Sequence, residues 1–254
     1  MKIFKDIFDW KKFRDDLPRE KSLGVVMTMG ALHEGHLSLL QESKRNNDIT
    51  VATIFLNPTQ FDNSADLNKY PETWDHDIEV LEKLGIDFLV APSYEQMYPD
   101  SFKYKVTEND LSKILCGASR QGHFDGVMTV VMKLLNIVRA DKVYWGEKDY
   151  QQYLLVKGMA ETFFINSEMI ACPTIREKDG LAMSSRNLRL RKKGRKLAGI
   201  YAQIIRENKP LEEIRQQLEE NGIKVDYLEE HFNRRFAAVF IEDIRLIDNV
   251  EMLD

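Results

Sequence analysis

Cysteine is almost absent from this chain. The two present, Cys116 and Cys172, lie far apart, with no second thiol or histidine at metal-ligand spacing. A disulfide framework and a zinc site are thereby excluded, and both thiols are expected to be small buried hydrophobes. No apolar run approaches the length that crosses a bilayer. The N-terminus, Met1-Lys2-Ile3-Phe4-Lys5-Asp6, has neither the apolar core nor the small-residue cleavage site of a secretory signal, so the expected location is the cytoplasm. Positive charge is not in excess either: the formal net charge is −5, which argues against a nucleic acid or an anionic membrane as the main partner. Any anion must therefore be held by a local cluster. Internal repeats and low-complexity stretches are missing, as is a carboxylate cluster that would cage a resident metal.

What remains is an ordinary globular composition, with 43% hydrophobic and 30% charged residues over 254 positions. Short apolar runs at Leu23–Thr28, Ile49–Leu56, Phe88–Val90, Val143–Trp145 and Glu168–Cys172 read as strands. Helical periodicity fills Leu37–Asn46, Thr73–Leu84, Val127–Val138 and Tyr150–Phe163 between them. The β-α-β-α order predicts an α/β fold, a Rossmann-like doubly wound parallel sheet covered by helices. Near Arg176 the texture changes. A loop over 177–186 leads into charged helical segments around Leu190–Glu207 and Leu211–Glu220, then two brief strands, Phe236–Ile241 and Ile244–Leu246. The expected division is a domain over residues 1–178 and a smaller C-terminal α+β domain over 179–254.

Histidine is scarce, five in all, yet two stand in Met29-Gly30-Ala31-Leu32-His33-Glu34-Gly35-His36, between the first strand and the first helix. Glycines at 30 and 35 let the backbone turn and let a bulky anion approach, and a helix start offers N–H groups to it. His33 and His36, three apart, would share a helix face. Ligands of parallel sheets bind beyond the carboxyl ends of the strands, so the residues following each strand are the candidates. Asn57-Pro58 reads as a turn starter, whereas Gln60, followed by Phe61, is a site candidate. Gly146-Glu147-Lys148-Asp149 sets a cation beside a glycine and an acid able to cap a helix or bond a ribose hydroxyl. Gln151 and Gln152 follow it.

Met183-Ser184-Ser185-Arg186 combines two hydroxyls and a guanidinium in a loop that could close on phosphates, while the basic run from Arg189 to Lys196 reads as a solvated helix start. Arg120 and His123, in a glycine-rich segment, are secondary candidates. Imidazoles, a lysine, an arginine and hydroxyls are the groups that stabilise charge on an α-phosphate while ATP is joined to a carboxylate, and a Mg2+ ion carried in on the nucleotide would supply the rest.

With these residues in view, the chain resembles the pantothenate synthetase (pantoate–beta-alanine ligase) family. The blocks that carry the resemblance are MGALHEGH (29–36), NPTQF (57–61), GHFDG (122–126), VYWGEKDYQQ (143–152), PTIREKDGLAMSSRN (173–187) and RLIDN (245–249), and they keep the family's order. The first is similar to the HIGH-type motif of nucleotidyltransferases. The resemblance implies a two-step reaction in which pantoate and ATP give pantoyl adenylate and pyrophosphate, and beta-alanine then releases AMP and pantothenate. It implies that residues 29–36 line the ATP site, with His36 as proton donor and His33 on the phosphates. Gly146, Glu147, Lys148 and Asp149 would hold ATP, Lys148 at its phosphates. Ile175, where the family commonly has valine, would meet adenine, and Met183, Ser184, Ser185 and Arg186 would form the mobile phosphate loop. Gln60 and Gln152 would bind pantoate, Gln60 beta-alanine too. A cytoplasmic homodimer is expected on the same ground. Two departures stand out: Gln121 replaces a usual proline, and the region after Asn187 is shorter than in many relatives. A different nucleotidyltransferase and a non-catalytic nucleotide binder are the competing readings.

Overall fold

Six strands form one all-parallel sheet in the computed structural model, which describes residues 1–252: β1 (Lys2–Phe4), β2 (Leu23–Thr28), β3 (Ile49–Ile54), β4 (Phe88–Val90), β5 (Lys142–Gly146) and β6 (Glu168–Cys172). Their order is β1-β4-β3-β2-β5-β6. Strands in such a sheet are covered on both faces, which is why β2 and β3 are near-continuous buried runs. Helices of ten residues or more that accompany the sheet are α1 (Ile7–Asp16), α2 (Glu34–Asn46), α3 (Trp74–Leu84), α4 (His123–Val138) and α5 (Tyr150–Thr162). The expected doubly wound α/β class is therefore the observed one.

From β2 the chain moves to β3 and β4 on one side, and β5 then returns to pair with the other side of β2. The order of winding reverses there, so the topological switch point lies between β2 and β5, where an open parallel sheet leaves a crevice at its carboxyl edge.

Sequence periodicity misses β1 and α1. The strand has three residues and the helix is mostly charged, so neither carries a strong apolar pattern. Long-range packing holds them instead. Trp10 is fully buried and its Nε1–H donates to Ile137 O at 2.9 Å. Phe4, Trp10, Phe13 and Phe88 pack with ring centroids 5.0 to 6.3 Å apart. Asp6 caps α1 by accepting from Phe8 N at 2.7 Å and Asp9 N at 3.1 Å.

By contact the chain divides into two units. The larger comprises Met1–Leu32, His36–Gly146 and Gln151–Cys172; the smaller comprises His33–Gly35, Glu147–Tyr150 and everything from Pro173. The smaller unit contains α6 (Lys192–Ile204), α7 (Leu211–Glu220) and an antiparallel sheet of β7 (Lys224–His231), β8 (Arg234–Ile241) and β9 (Ile244–Glu251), with β8 central. Tyr201, Ala202, Ile214, Leu218 and Val239 lie at the heart of its core. The strand β7 was not expected, because Lys-Val-Asp-Tyr-Leu-Glu-Glu-His reads as a charged stretch. β8 begins two residues before the expected Phe236, since Arg234 and Arg235 are buried yet fully partnered: Arg235 donates to Glu207 O at 2.7 Å and Lys209 O at 2.8 Å. Cys116 and Cys172 are both buried, as expected. No helix among the described residues is long and apolar enough to cross a membrane.

Candidate active site

The turn after β2 is built around a carboxylate that sequence reading did not single out. Asp77, in the first turn of α3 and 1% exposed, accepts from Ala31 N and Leu32 N at 2.9 Å each. Gly30 and Ala31 both have positive φ, 81° and 52°, which points their successive amides toward that carboxylate. The backbone donors of residues 31 and 32 are thus satisfied within the protein. Met29, Gly30, Ala31 and Leu32 form a rigid turn leading into α2, which starts at Glu34 rather than at the expected Leu37. His36 lies in its first turn and His33 precedes it, so the two imidazoles do not share a helix face.

In the larger unit the 57–60 segment forms an amide cluster. Asn57 is completely buried and is more than a turn starter. Its Oδ1 accepts from Tyr98 Oη at 2.8 Å and Thr59 Oγ1 at 2.9 Å, and its Nδ2 donates to Gly126 O at 3.2 Å and Gln60 Oε1 at 3.0 Å. That last bond fixes the Gln60 amide, committing its oxygen inward and leaving Nε2 as the donor presented to a ligand. Burial pushes the Tyr98 hydroxyl up to about 12, so it stays a protonated donor. Behind Gln60, His123 Nδ1–H donates to its carbonyl at 2.8 Å, while Arg120 reaches the same carbonyl at 3.2 Å and His123 Nε2 at 3.0 Å. An imidazole donating through Nδ1 and accepting at Nε2 is neutral, so this pair braces Gln60. Gly126 matters equally: a Cβ there would sit 2.4 Å from Thr59 O, so only glycine lets α4 press against this turn.

Gln151 is buried and clasps the 111–116 segment, donating to Leu111 O at 2.9 Å and Ile114 O at 2.8 Å and accepting from Cys116 N at 3.1 Å. Gln152, next to it on α5 and half-buried, makes no side-chain hydrogen bond to a described residue.

The smaller unit brings His33 together with Lys148 and Asp149. Burial first, and the Lys148 ammonium second, lower the His33 pKa from 6.5 to about 4, with Asp149 opposing them. His33 Nδ1 accepts from Gly35 N at 3.1 Å, so the neutral ring carries its proton on Nε2. A Cβ on Gly35 would lie 2.9 Å from His33 Cε1 and 3.8 Å from Met183 Cβ, which places the start of the serine-arginine loop close to this glycine. Lys148 is largely buried at 17% side-chain exposure, and its Nζ comes no nearer to a carboxylate than 3.7 Å from Asp149 Oδ2. Ser184 Oγ accepts from Arg186 N at 3.2 Å, and Ser185 is buried. Asn187 ties this loop to Glu177 Oε1 at 2.9 Å and Ala182 O at 3.0 Å. Of the basic run, Arg195 is not merely solvated: it pairs with Asp179 and Glu177, which hold it firmly charged. Ile175 precedes this loop in the same unit, and Gly146 ends β5 in the larger one.

The depressed His33 pKa makes stability depend on pH. As pH falls below 6.5 the unfolded chain's imidazole takes up a proton, while the folded ring resists until about 4. The stabilisation is complete above the unfolded value and is lost across that window, at up to about 1.4 kcal/mol per pH unit. Urea midpoints measured from pH 7 to 4.5 should fall less steeply for His33→Asn, which keeps a cap for Gly35 N–H but does not titrate. Equal slopes for the two proteins would rule this out.

The larger unit, a parallel sheet, carries an oriented amide beyond β3, and the smaller carries a neutral imidazole and a sparsely partnered lysine; each is the equipment of an α/β group-transfer enzyme. The family described as Pantoate-beta-alanine ligase matches residues 2–251. A pantothenate synthetase of Legionella pneumophila (strain Corby) is 48% identical over 249 residues, covering 98% of this chain and 99% of that one. One from Bdellovibrio bacteriovorus is 50% identical over 231 residues, covering 91% and 92%. Among solved structures, the pantoate-beta-alanine ligase of Francisella tularensis, complexed with beta-gamma ATP and beta-alanine, superposes with a TM-score of 0.95 at 40% identity over 99% of this chain and 97% of that one. The pantothenate synthetase of Thermus thermophilus gives 0.89 at 36% identity, with 99% of each chain covered. The chain belongs to the pantoate–beta-alanine ligase family.

Proposed function

We propose that this chain joins pantoate to beta-alanine at the expense of MgATP. The pantoate carboxylate attacks the α-phosphate, forming pantoyl adenylate as the bond to pyrophosphate breaks. The beta-alanine amine then attacks the acyl carbon, the C–N bond forms, AMP leaves and one proton is released. The observation that carries this reading is the match to the family along residues 2–251, with every motif block in order. The ATP and beta-alanine named for the Francisella tularensis structure support it.

In this reading the two ends of the reaction use different chemistry. Lys148 neutralises triphosphate charge, and His33, being neutral, donates Nε2–H to a phosphate oxygen without adding charge of its own. His36 is the proton donor. Met29 to Gly35 and Gly146, Glu147 and Asp149 shape the nucleotide site, Ile175 meets the adenine, and Met183, Ser184, Ser185 and Arg186 close over the phosphates with the small domain from 179 onward as a lid. Gln60 Nε2 and Gln152 hold the pantoate oxygens, and Gln60 also serves beta-alanine. Mg2+ enters on the nucleotide. A cytoplasmic homodimer completes the reading. The test is pyrophosphate release from ATP with and without pantoate, and AMP release with and without beta-alanine. Dependence on both acids is expected; ATP cleavage indifferent to pantoate would overturn the assignment.

A further inference from the structure

The RLIDN block near the C-terminus carries no chemistry of its own, yet it grips the lysine loop. Asn249, on β9 and 2% exposed, donates from Nδ2 to Glu147 O at 2.8 Å and Lys148 O at 3.0 Å, and accepts at Oδ1 from Arg234 Nη1 at 2.9 Å. Every bond requires the amide in this orientation, because the flipped amide would set its oxygen against two carbonyl oxygens. Aspartate would suffer the same repulsion. The asparagine is held in turn: its N–H donates to Asp248 Oδ1 at 2.8 Å and its carbonyl accepts from Arg176 Nη2 at 3.1 Å, while Arg176 and Asp248 form a two-pronged pair at 2.7 and 3.0 Å. Arg234 reaches Glu147 Oε2 at 3.2 Å and lies 4.2 Å over the Tyr150 ring.

The one-turn segment Glu147–Asp149 is thus fixed at two carbonyls, one carboxylate and the adjoining ring, all from β8 and β9. Lys148, by contrast, has little of its own to hold it: its nearest carboxylate oxygen is 3.7 Å away. What the fold fixes directly is the backbone from which the ammonium extends. We propose that Asn249 is a positioning residue for adenylation, acting through Lys148 by fixing the peptide groups on either side of it. The inference rests on the reading of Lys148 as the triphosphate cation. A displacement of about 1 Å at such a group costs on the order of 100-fold in rate.

The experiment is a double-mutant cycle on the full chain, read in two half-reactions: pantoate-dependent pyrophosphate release, and amide formation when beta-alanine is added to enzyme already carrying pantoyl adenylate. Asn249→Ala should slow the first about 10- to 100-fold and the second less than about threefold. Combined with Lys148→Ala, it should add almost nothing to the loss caused by Lys148→Ala alone. Asn249→Ser, which keeps one donor, should fall between Asn249→Ala and the unaltered chain, and it serves if the alanine variant does not fold. An equal loss in the presence and absence of Lys148, or an equal loss in both half-reactions, would make Asn249 a general structural residue and overturn the proposal. Lys148→Ala at full speed would instead defeat the reading of the lysine itself.

Discussion

Lys148→Ala is expected to lower the rate of pantoate-dependent pyrophosphate release by about two powers of ten or more, while pantoyl adenylate already formed still reacts with beta-alanine. The reason is electrostatic. In adenylation, negative charge accumulates on phosphate oxygens as the carboxylate approaches, and a fixed ammonium in a partly dehydrated site stabilises that charge far better than water does. Lys148 is suited to this because it is largely buried and its nearest carboxylate, Asp149, is too distant for a direct bond. Lys148→Arg should recover only part of the rate, since a planar guanidinium spreads the charge and needs a different approach. His36→Ala should show a loss of similar size in the same step, and the neutral His33 would not compensate, because its pKa near 4 leaves it unable to deliver a proton as an imidazolium at neutral pH. Rapid-quench measurement of pyrophosphate decides both. A rate unchanged by either substitution removes that residue from its role.

The second large effect is structural. Asp77→Ala should destabilise the protein by about 3–5 kcal/mol, because it strands two buried backbone donors, Ala31 N and Leu32 N, that now share one carboxylate at 2.9 Å. Asp77→Asn keeps one oxygen and should lose roughly half as much. Urea unfolding at pH 7 provides the measurement; an alanine variant within about 0.5 kcal/mol of the unaltered chain would show that the turn does not depend on this clamp.

These two residues also illustrate what a sequence reveals. Lys148, His33, His36 and Gln60 follow strands recognisable as apolar runs, and β2, β4 and β6 have the limits those runs suggest. Helix starts were less visible. α2 begins at Glu34 and α4 at His123, each one turn before its apolar period: the first turn of α2 holds Glu34, Gly35 and His36, and that of α4 buries His123 and Gly126 beside Phe124, so neither start reads as an apolar repeat. Asp77, Tyr98 and Arg234 were not legible at all, and Asn249 showed only as the last residue of the RLIDN block. Each acts on backbone or side chains tens of residues away, as Asn249 does on Glu147, and such partnerships exist only after folding. Buried arginines hid β8's first residues for the same reason, since their charge looks solvated until Glu207 O and Lys209 O are in place.

The missing side chain at Gly126 has a consequence for enzyme design. With Gln60 as the proposed acid-binding amide, broadening the acid specificity by mutagenesis would ordinarily start from small residues beside it, yet even one methyl group at Gly126 would strike the Thr59 carbonyl and displace Gln60 along with it. Useful room for a bulkier hydroxy acid must instead be sought by trimming neighbours that carry no such close approach, leaving this helix face untouched.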